Sequence, residues 1–251
     1  VYSFVSNFMI AIRPQIIKNH ASGNFQAMHI QIIKSGKFGF FIMLLILLPL
    51  CGNIDYVLGL WLVDVPAHTA NFVVLVLLYS LLDGILTPIA IGVFAQGEIK
   101  AYEIALCIIY AVNFIASYVC LKLGMAPETV FVLNIAFKAC VLADLLVHSK
   151  AKYAFPVHAF LKQCLLPSAV VFVLSGAFTY FMPWEAPNSF WEFLLHTLAI
   201  IICTSLMALA IGMTKGERLF LKKNLRDKIT VKLYLHEKEM YRPVAWLFLQ
   251  I

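Results

Sequence analysis

The chain has 251 residues, of which 62% are hydrophobic and only 13% are charged, and its formal net charge is +6. Soluble domains carry about a quarter charged residues, so this composition excludes an ordinary soluble globular domain. The apolar residues come in blocks of roughly 20, the length that crosses a bilayer as a helix, and the short alternating strands of an outer-membrane barrel are absent. The sequence therefore predicts an all-α, polytopic membrane protein.

Seven apolar segments follow one another along the chain. Each is predicted to be a transmembrane helix, because lipid leaves the backbone polar groups no partners outside their own segment. The predicted spans cover about residues 1–17, 38–62, 71–95, 101–123, 129–148, 163–182 and 190–213. A polar connector at 18–37, with helical character in its second half, separates the first two, and residues 214–251 are predicted to form a basic tail.

The distribution of basic residues predicts the orientation of these spans. All lysines and arginines except Lys122 and Lys138 fall on alternate connections, on the tail, or at the inner end of the first span. Cytoplasmic loops of membrane proteins carry such an excess. The tail is therefore predicted to be cytoplasmic, beside anionic lipid headgroups, and the net charge does not indicate nucleic-acid binding. A partner-binding tail is the alternative.

Charged residues inside the apolar segments are the candidate functional residues, because each costs a few kcal/mol at mid-membrane. Asp83 lies within the third segment beside Gly84 and Pro88, which fits a coupling or gating site. The alternative for Asp83 is a structural hydrogen bond to a neighbouring helix. Lys138 lies at the centre of the fifth segment, where it can line a cavity for an anionic group. The alternative for Lys138 is an ion pair with Asp144, at a poor helical offset.

Arg13, which precedes Pro14, is the third candidate. It can snorkel to the interface or bind phosphate at the cytoplasmic mouth. Catalytic motifs are missing: there is no zinc-protease pair of histidines, no nucleophile elbow and no nucleotide-binding loop. The chain is therefore predicted to be neither an enzyme nor a protein that needs a metal or another cofactor.

The element IRPQIIKNHASGN is followed by KSGKFGFF, which together suggest a helix end, a proline-containing turn and an amphipathic entry to the next span. This element resembles a repeated element of bacterial polysaccharide flippases, which belong to the multidrug/oligosaccharidyl-lipid/polysaccharide exporter superfamily. AQGEIKAYEIA, PETVF and FPVHAFLKQCLLP are similar to later family segments in the same order. The resemblance covers most of the chain, from Val1 to about Lys223.

The resemblance implies the C-terminal lobe of a two-lobed, MATE-like transporter of the bacterial inner membrane, with an N-terminal lobe that these residues do not include. It implies flipping of undecaprenyl-pyrophosphate-linked oligosaccharide for lipopolysaccharide, capsule or exopolysaccharide assembly. Arg13 and Lys138 then become candidate cavity cations, and Asp83 a candidate coupling carboxylate. Family members often have a base near Asp144, so the acid here departs from a simple cation-lined cavity.

Three other functions stay open at this point. A cation-coupled multidrug exporter of the same superfamily would have a cavity richer in acids than in bases. A membrane-bound acyl- or glycosyltransferase of polysaccharide assembly would need a polar catalytic loop, which the short connections do not offer. A non-transporting membrane scaffold would tolerate substitution of Asp83 and Lys138.

Overall fold

The computed structural model describes residues 2–181, 187 and 189–219, with side chains from residue 6 onward. Within these residues all regular secondary structure is helical, and there is no strand. The helices are α1 (Tyr2–Ala21), α2 (Phe25–Gly52), α3 (Ile54–Trp61), α4 (Thr69–Phe94), α5 (Lys100–Lys122), α6 (Thr129–Tyr153), α7 (Val157–Phe181) and α8 (Phe190–Gly212). Residues 215–219 form a further helical turn.

Six helices, α2 and α4 to α8, are long and apolar enough to cross a bilayer. This supports the predicted polytopic helical bundle. The first helix, α1, is not among the six, because its second half carries Arg13, Gln15, Lys18 and Asn19. The first of the seven predicted spans, at 1–17, therefore stays a prediction.

The turn between α1 and α2 sets where α2 begins. Gly23 has φ +71°, a left-handed conformation that a residue without a Cβ adopts at no steric cost. The side chain of Asn24 then accepts a hydrogen bond from the Ala27 N–H at 3.1 Å and caps the helix. The helical character predicted for the second half of the connector at 18–37 is confirmed, since residues 25–37 form nearly the first half of α2. Residues 18–21 also belong to a helix, the end of α1, so the connection between the two helices is only 22–24.

Helix α2 is the central helix of the bundle. It packs against α1, α4, α7 and α8, while α6 packs against α4, and α5 packs on α6. Helix α2 ends at Gly52, where Asn53 donates a hydrogen bond to the Pro49 carbonyl at 3.0 Å, and α3 follows. Most apolar side chains of α5, such as Phe114, are exposed, as expected for a helix that faces lipid.

Small residues let α2 and α4 approach closely. A methyl group at Gly84 would lie 3.0 Å from backbone atoms of both Gly39 and Phe40, so the two helices meet backbone to backbone there. Helix α4 continues through Pro88, and the Thr87 hydroxyl donates to the Asp83 carbonyl at 2.7 Å. Close contact through glycine is a common way to pack helices in lipid, where dispersion replaces the hydrophobic effect.

The connections lie at two opposite ends of the bundle. One end, which we call the acidic end, holds the connections at 62–68 and 123–128, the end of α7 and the start of α8; there Glu128 contacts both His68 and Asn71. The other, the basic end, holds the connections at 22–24, 95–99 and 154–156 and residues 214–219; there Lys152 pairs with Glu98. Exposed aromatic rings, including Trp61, Tyr180 and Trp191, lie at helix ends of the acidic end, as in the interfacial belts of membrane proteins.

Several glycines lie at contacts between α2 and its neighbours, and Gly84 gives the sharpest test of the packing. We expect Gly84→Ala to destabilise the bundle by about 1–3 kcal/mol, because backbone atoms of α2 cannot move aside as a flexible side chain would. The measurement is the thermal unfolding midpoint in detergent micelles. Gly176→Ala on α7 is the control: no atom lies within 4 Å of its added methyl group, so its midpoint should stay equal or rise. Equal midpoints for the two variants would contradict the close contact.

Candidate functional site

An ion pair between α4 and α6 lies inside the bundle. The Lys138 Nζ donates to the Asp83 Oδ1 at 2.5 Å, and only 8% and 18% of the two side chains are exposed. The same Nζ lies 4.2 Å from the centroid of the Tyr79 ring, where the negative face of the aromatic ring attracts a cation. Two charges that would each be costly in the membrane thus neutralise one another.

A cavity of about 210 Å³ lies between α1 and α4, beside this ion pair. Its polar lining consists of Ser6 and Arg13 from α1 and Asp83 and Thr87 from α4. The rest of the lining is apolar, and the cavity extends towards Phe94 at the basic end of α4. A cavity with a few convergent polar groups in apolar walls is typical of a binding site.

Two of the three predicted site residues line the same cavity, and the third forms an ion pair with one of them. Arg13 and Asp83 line the cavity together, and Lys138 holds Asp83 from the α6 side without belonging to the lining. Arg13 forms no ion pair with any described residue, and its side chain is exposed at the cavity. An unpaired guanidinium offers five N–H donors in a geometry that suits phosphate.

The alternative pairing of Lys138 with Asp144 does not occur. Asp144 instead contacts the Nδ1 of His148, one helical turn away, at 3.1 Å. Six positions along a helix place two side chains on different faces, whereas Asp83 approaches Lys138 directly from α4. The acid at 144 is therefore not the partner of the buried lysine.

A second buried ion pair was missed by the sequence reasoning. Lys37 was counted as a connector cation, but it lies well inside α2, is 1% exposed, and donates to the Glu217 Oε2 at 2.6 Å. Glu217 follows the last helix and is itself 9% exposed. This pair fastens the start of the tail to the central helix at the basic end.

The spacing Thr214-x-x-Glu217 in the sequence is one that could have indicated the start of a helical turn after α8. The Thr214 N–H donates to Glu217 Oε2 at 2.8 Å, and the Glu217 N–H donates to Thr214 Oγ1 at 3.4 Å, which together form a capping box for the turn at 215–219. Arg218 adds hydrogen bonds to the carbonyls of Met213 and Ala210, at the π-helical end of α8. Burial raises the pKa of Glu217, but the hydrogen bonds from Lys37 and Thr214 outweigh it, and the net effect is a lowered pKa.

No family model, curated protein or solved structure matches this chain in comparisons with known proteins. Among the described residues, no group of three or more His, Cys, Asp or Glu side chains is placed to hold a metal ion.

Removing one partner of the Asp83–Lys138 pair should cost more than removing both. Asp83→Asn leaves a buried ammonium without its counter-charge, and we expect a loss of roughly 3 kcal/mol in unfolding free energy. The double variant Asp83→Asn, Lys138→Met removes both charges and should recover most of that loss. The measurement is the thermal unfolding midpoint of the wild type, of Asp83→Asn and of the double variant in detergent micelles.

The exposed pair Lys152–Glu98 provides the matched control for that series. Lys152→Met should leave the unfolding midpoint nearly unchanged, because solvent screens the pair. A double variant that is no more stable than Asp83→Asn would show that the two residues are not coupled.

The Lys37–Glu217 pair predicts a specific dependence of stability on pH. Since the pKa of Glu217 is lowered on folding, the ionised carboxylate stabilises the fold above its unfolded pKa, and this contribution is lost as the pH falls through the folded pKa. Glu217→Gln should therefore unfold at a lower temperature than the wild type near pH 7, and the difference should shrink as the pH falls below the unfolded pKa of about 4.3 and close below the lowered pKa of the folded state.

The control for the pH series is Glu103→Gln, since Glu103 on α5 forms no ion pair with the described residues. Its midpoint should follow that of the wild type at every pH. A Glu217→Gln difference that stays constant down to acid pH would rule out a contribution from the ionised carboxylate.

Proposed function

We propose that this chain is one lobe of a bacterial inner-membrane transporter that flips undecaprenyl-pyrophosphate-linked oligosaccharide for surface polysaccharide assembly. The observation that supports the proposal most is the cavity between α1 and α4, where unpaired Arg13 lies opposite the Asp83–Lys138 ion pair. The order of the flippase-like segments in the sequence supports it independently.

The chemistry of such a cavity suits a phosphorylated headgroup. A sugar pyrophosphate cannot cross hydrocarbon unaided, because its charges and hydroxyls would lose water without replacement. In the proposal, the Arg13 guanidinium replaces part of that water by donating to phosphate oxygens. The polyprenyl tail remains in lipid beside the apolar outer surface of the helices.

The ion pair supplies the switch in this proposal. Phosphate that enters the cavity is an anion and competes with Asp83 for Lys138, which lies directly behind the carboxylate. Binding of the substrate thereby loosens the contact between α4 and α6. A ligand moves a conformational equilibrium only through such a difference in its contacts between two states.

In the proposed transporter, this lobe works with a second lobe, and its basic end has a defined side of the membrane. The second lobe closes the cavity from the open side of α1, and the two lobes rock to expose the site alternately. The basic end faces the cytoplasm, where its cations and the basic tail meet anionic lipid headgroups. Residues 220–251 of that tail lie outside the described residues.

A cation-coupled exporter of the same superfamily is the second candidate, favoured by the carboxylate of Asp83 in the cavity wall. Against it, Asp83 already has Lys138 as its counter-ion, whereas Arg13 has none among the described residues. The two candidates differ in what they move: a pyrophosphate anion in one case and an organic cation in the other.

The test is a flipping assay with the complete transporter, both lobes together, in proteoliposomes. Fluorescent lipid-linked oligosaccharide starts in one leaflet, and a glycosidase outside the vesicle reports its exposure on the other. We expect Arg13→Gln to slow exposure about tenfold or more, since a charge-assisted hydrogen bond to phosphate is lost.

Lys18→Gln is the matched control for this assay, because Lys18 is an exposed cation on the same helix that does not line the cavity. It should flip at the wild-type rate. Equal rates for Arg13→Gln and the wild type, or no exposure above empty vesicles, would contradict the proposed function. Uptake of an organic cation instead would favour the exporter.

A further inference from the structure

A second cavity, of about 330 Å³, lies where α6 and α7 meet α2 and α4. Helix α6 packs on α4 and α5, whereas α7 packs on α2 and α8, so the cavity lies along the seam between two packed groups of helices. The proposed flipping step uses none of its lining residues, which include Phe40 from α2, Leu81 and Ile85 from α4, Ile135 from α6, and Leu165 and Phe172 from α7.

The walls of this cavity offer an occupant hydrocarbon and little else. All of its lining residues are apolar except Ser168, whose hydroxyl oxygen is buried and forms no hydrogen bond with any described residue. A sugar, a phosphate or a peptide group placed here would lose its water without gaining a hydrogen bond. A long apolar chain loses nothing in such walls, and the lipid around a bundle of membrane-spanning helices supplies one.

Two lysines lie towards the basic end of the seam. Lys162 is exposed and comes three residues before Leu165, the lining residue of α7 that is nearest to the basic end. Lys150 is exposed on α6, fifteen residues after Ile135. Fifteen residues make about four helical turns, so Lys150 and Ile135 lie near the same face of α6. Neither lysine forms an ion pair with any described residue.

The distances along the helices match the depth of one lipid leaflet. With a rise of about 1.5 Å per residue, Phe172 lies about 15 Å beyond Lys162 along α7, which equals half of a hydrocarbon core of about 30 Å. On α6, Ile135 lies about 22 Å from Lys150, roughly half of a bilayer with its headgroups. An acyl chain whose phosphate stays beside the lysines therefore reaches the deep end of the cavity.

The seam and the cavity between α1 and α4 lie on opposite sides of α4. Leu81 and Ile85 line the seam, and each is two positions from Asp83, which lines the other cavity. Two positions correspond to about 200° of rotation around a helix, so the two linings face away from each other. A polyprenyl tail whose pyrophosphate is bound at Arg13 would have to cross the packed helices to enter the seam, whereas a bilayer lipid enters it from outside the bundle.

We propose that this seam binds an anionic phospholipid, with one acyl chain in the apolar cavity and the phosphate beside Lys162 and Lys150. Basic residues between helices at the cytoplasmic side of a membrane protein are a common binding place for anionic headgroups. The bound lipid fills the space between α6 and α7 and thereby joins the two packed groups of helices. Binding of this lipid does not depend on the proposed function.

Two pairs of variants separate the acyl chain from the headgroup. Ala169→Phe narrows the cavity from α7, and Ala111→Phe is its control, because Ala111 is an exposed alanine on α5 that does not line the cavity. Lys162→Gln removes a cation from the headgroup position. Lys100→Gln is the matched control, since Lys100 is also an exposed lysine at the basic end, without an ion pair among the described residues and away from the cavity lining.

The experiment is native mass spectrometry of the delipidated chain in detergent, titrated with dioleoyl-phosphatidylglycerol or with dioleoyl-phosphatidylcholine, which has the same acyl chains and no net charge. We expect the wild type and both controls to bind one phosphatidylglycerol more tightly than phosphatidylcholine. Lys162→Gln should bind phosphatidylglycerol about fivefold more weakly, the factor expected for one basic residue at an anionic headgroup. Ala169→Phe should weaken the binding of both lipids, by about tenfold.

A second readout is the unfolding midpoint, which phosphatidylglycerol should raise in the wild type because it binds the folded chain. The midpoint also identifies a variant that fails to fold; if Ala169→Phe does so, Lys162→Gln decides.

Equal affinity of the wild type for the two lipids, or unchanged affinity in Lys162→Gln, would overturn the proposal. Displacement of phosphatidylglycerol by an equal concentration of undecaprenol would assign the cavity to a polyprenyl chain, and a lipid-free dimer would assign the seam to a second copy of the chain; either result would also overturn it. None of these results involves the flipping assay or Arg13, so failure of the lipid site and failure of the proposed function can be told apart.

Discussion

The constraint that organises this molecule is that a charge inside an apolar bundle needs a counter-charge within reach. Asp83 and Lys138 come from different helices, and neither has solvent enough to be stable alone. Their contact at 2.5 Å fixes α4 against α6 and places the carboxylate at the wall of the cavity next to Arg13. The same constraint accounts for Lys37, which could not remain inside α2 without Glu217.

Helix α2 connects these features. On one side its glycines allow backbone contact with α4, which carries Asp83, and Lys37 anchors the residues that follow α8. At its other end, Asn53 lines a cavity of about 390 Å³ between α2, α7 and α8.

The sequence was informative where a property belongs to one segment. Apolar runs indicated the helices, although the second predicted span ran on to residue 62, whereas α2 ends at Gly52. It was less informative where a property depends on two segments. Both charges of the Asp83–Lys138 pair were recognised, but their pairing depends on how α4 and α6 pack, which no local pattern contains.

Lys37 illustrates why a local pattern does not show a partner. The polar residues of 18–37 were interpreted as a connector with a helical second half, and Lys37 was counted among its cations. The Asn24 cap instead starts α2 at Phe25 and carries Lys37 into the bundle. Arg13 presented the opposite difficulty: snorkelling and phosphate binding require the same exposed side chain, and only the presence of the cavity favours the second.

The most direct test of the central interaction is a solid-state NMR distance measurement in lipid bilayers between Lys Nζ and Asp Cγ. Labelling lysine with ¹⁵N and aspartate with ¹³C suits this chain, because the other lysine pairs of the described residues, Lys37–Glu217 and Lys152–Glu98, use glutamate. We expect strong dipolar dephasing, because Lys138 Nζ lies 2.5 Å from an oxygen bonded to the labelled Asp83 Cγ. This dephasing should disappear in Lys138→Met. No dephasing in the wild type, or dephasing that survives in Lys138→Met, would contradict the Asp83–Lys138 ion pair.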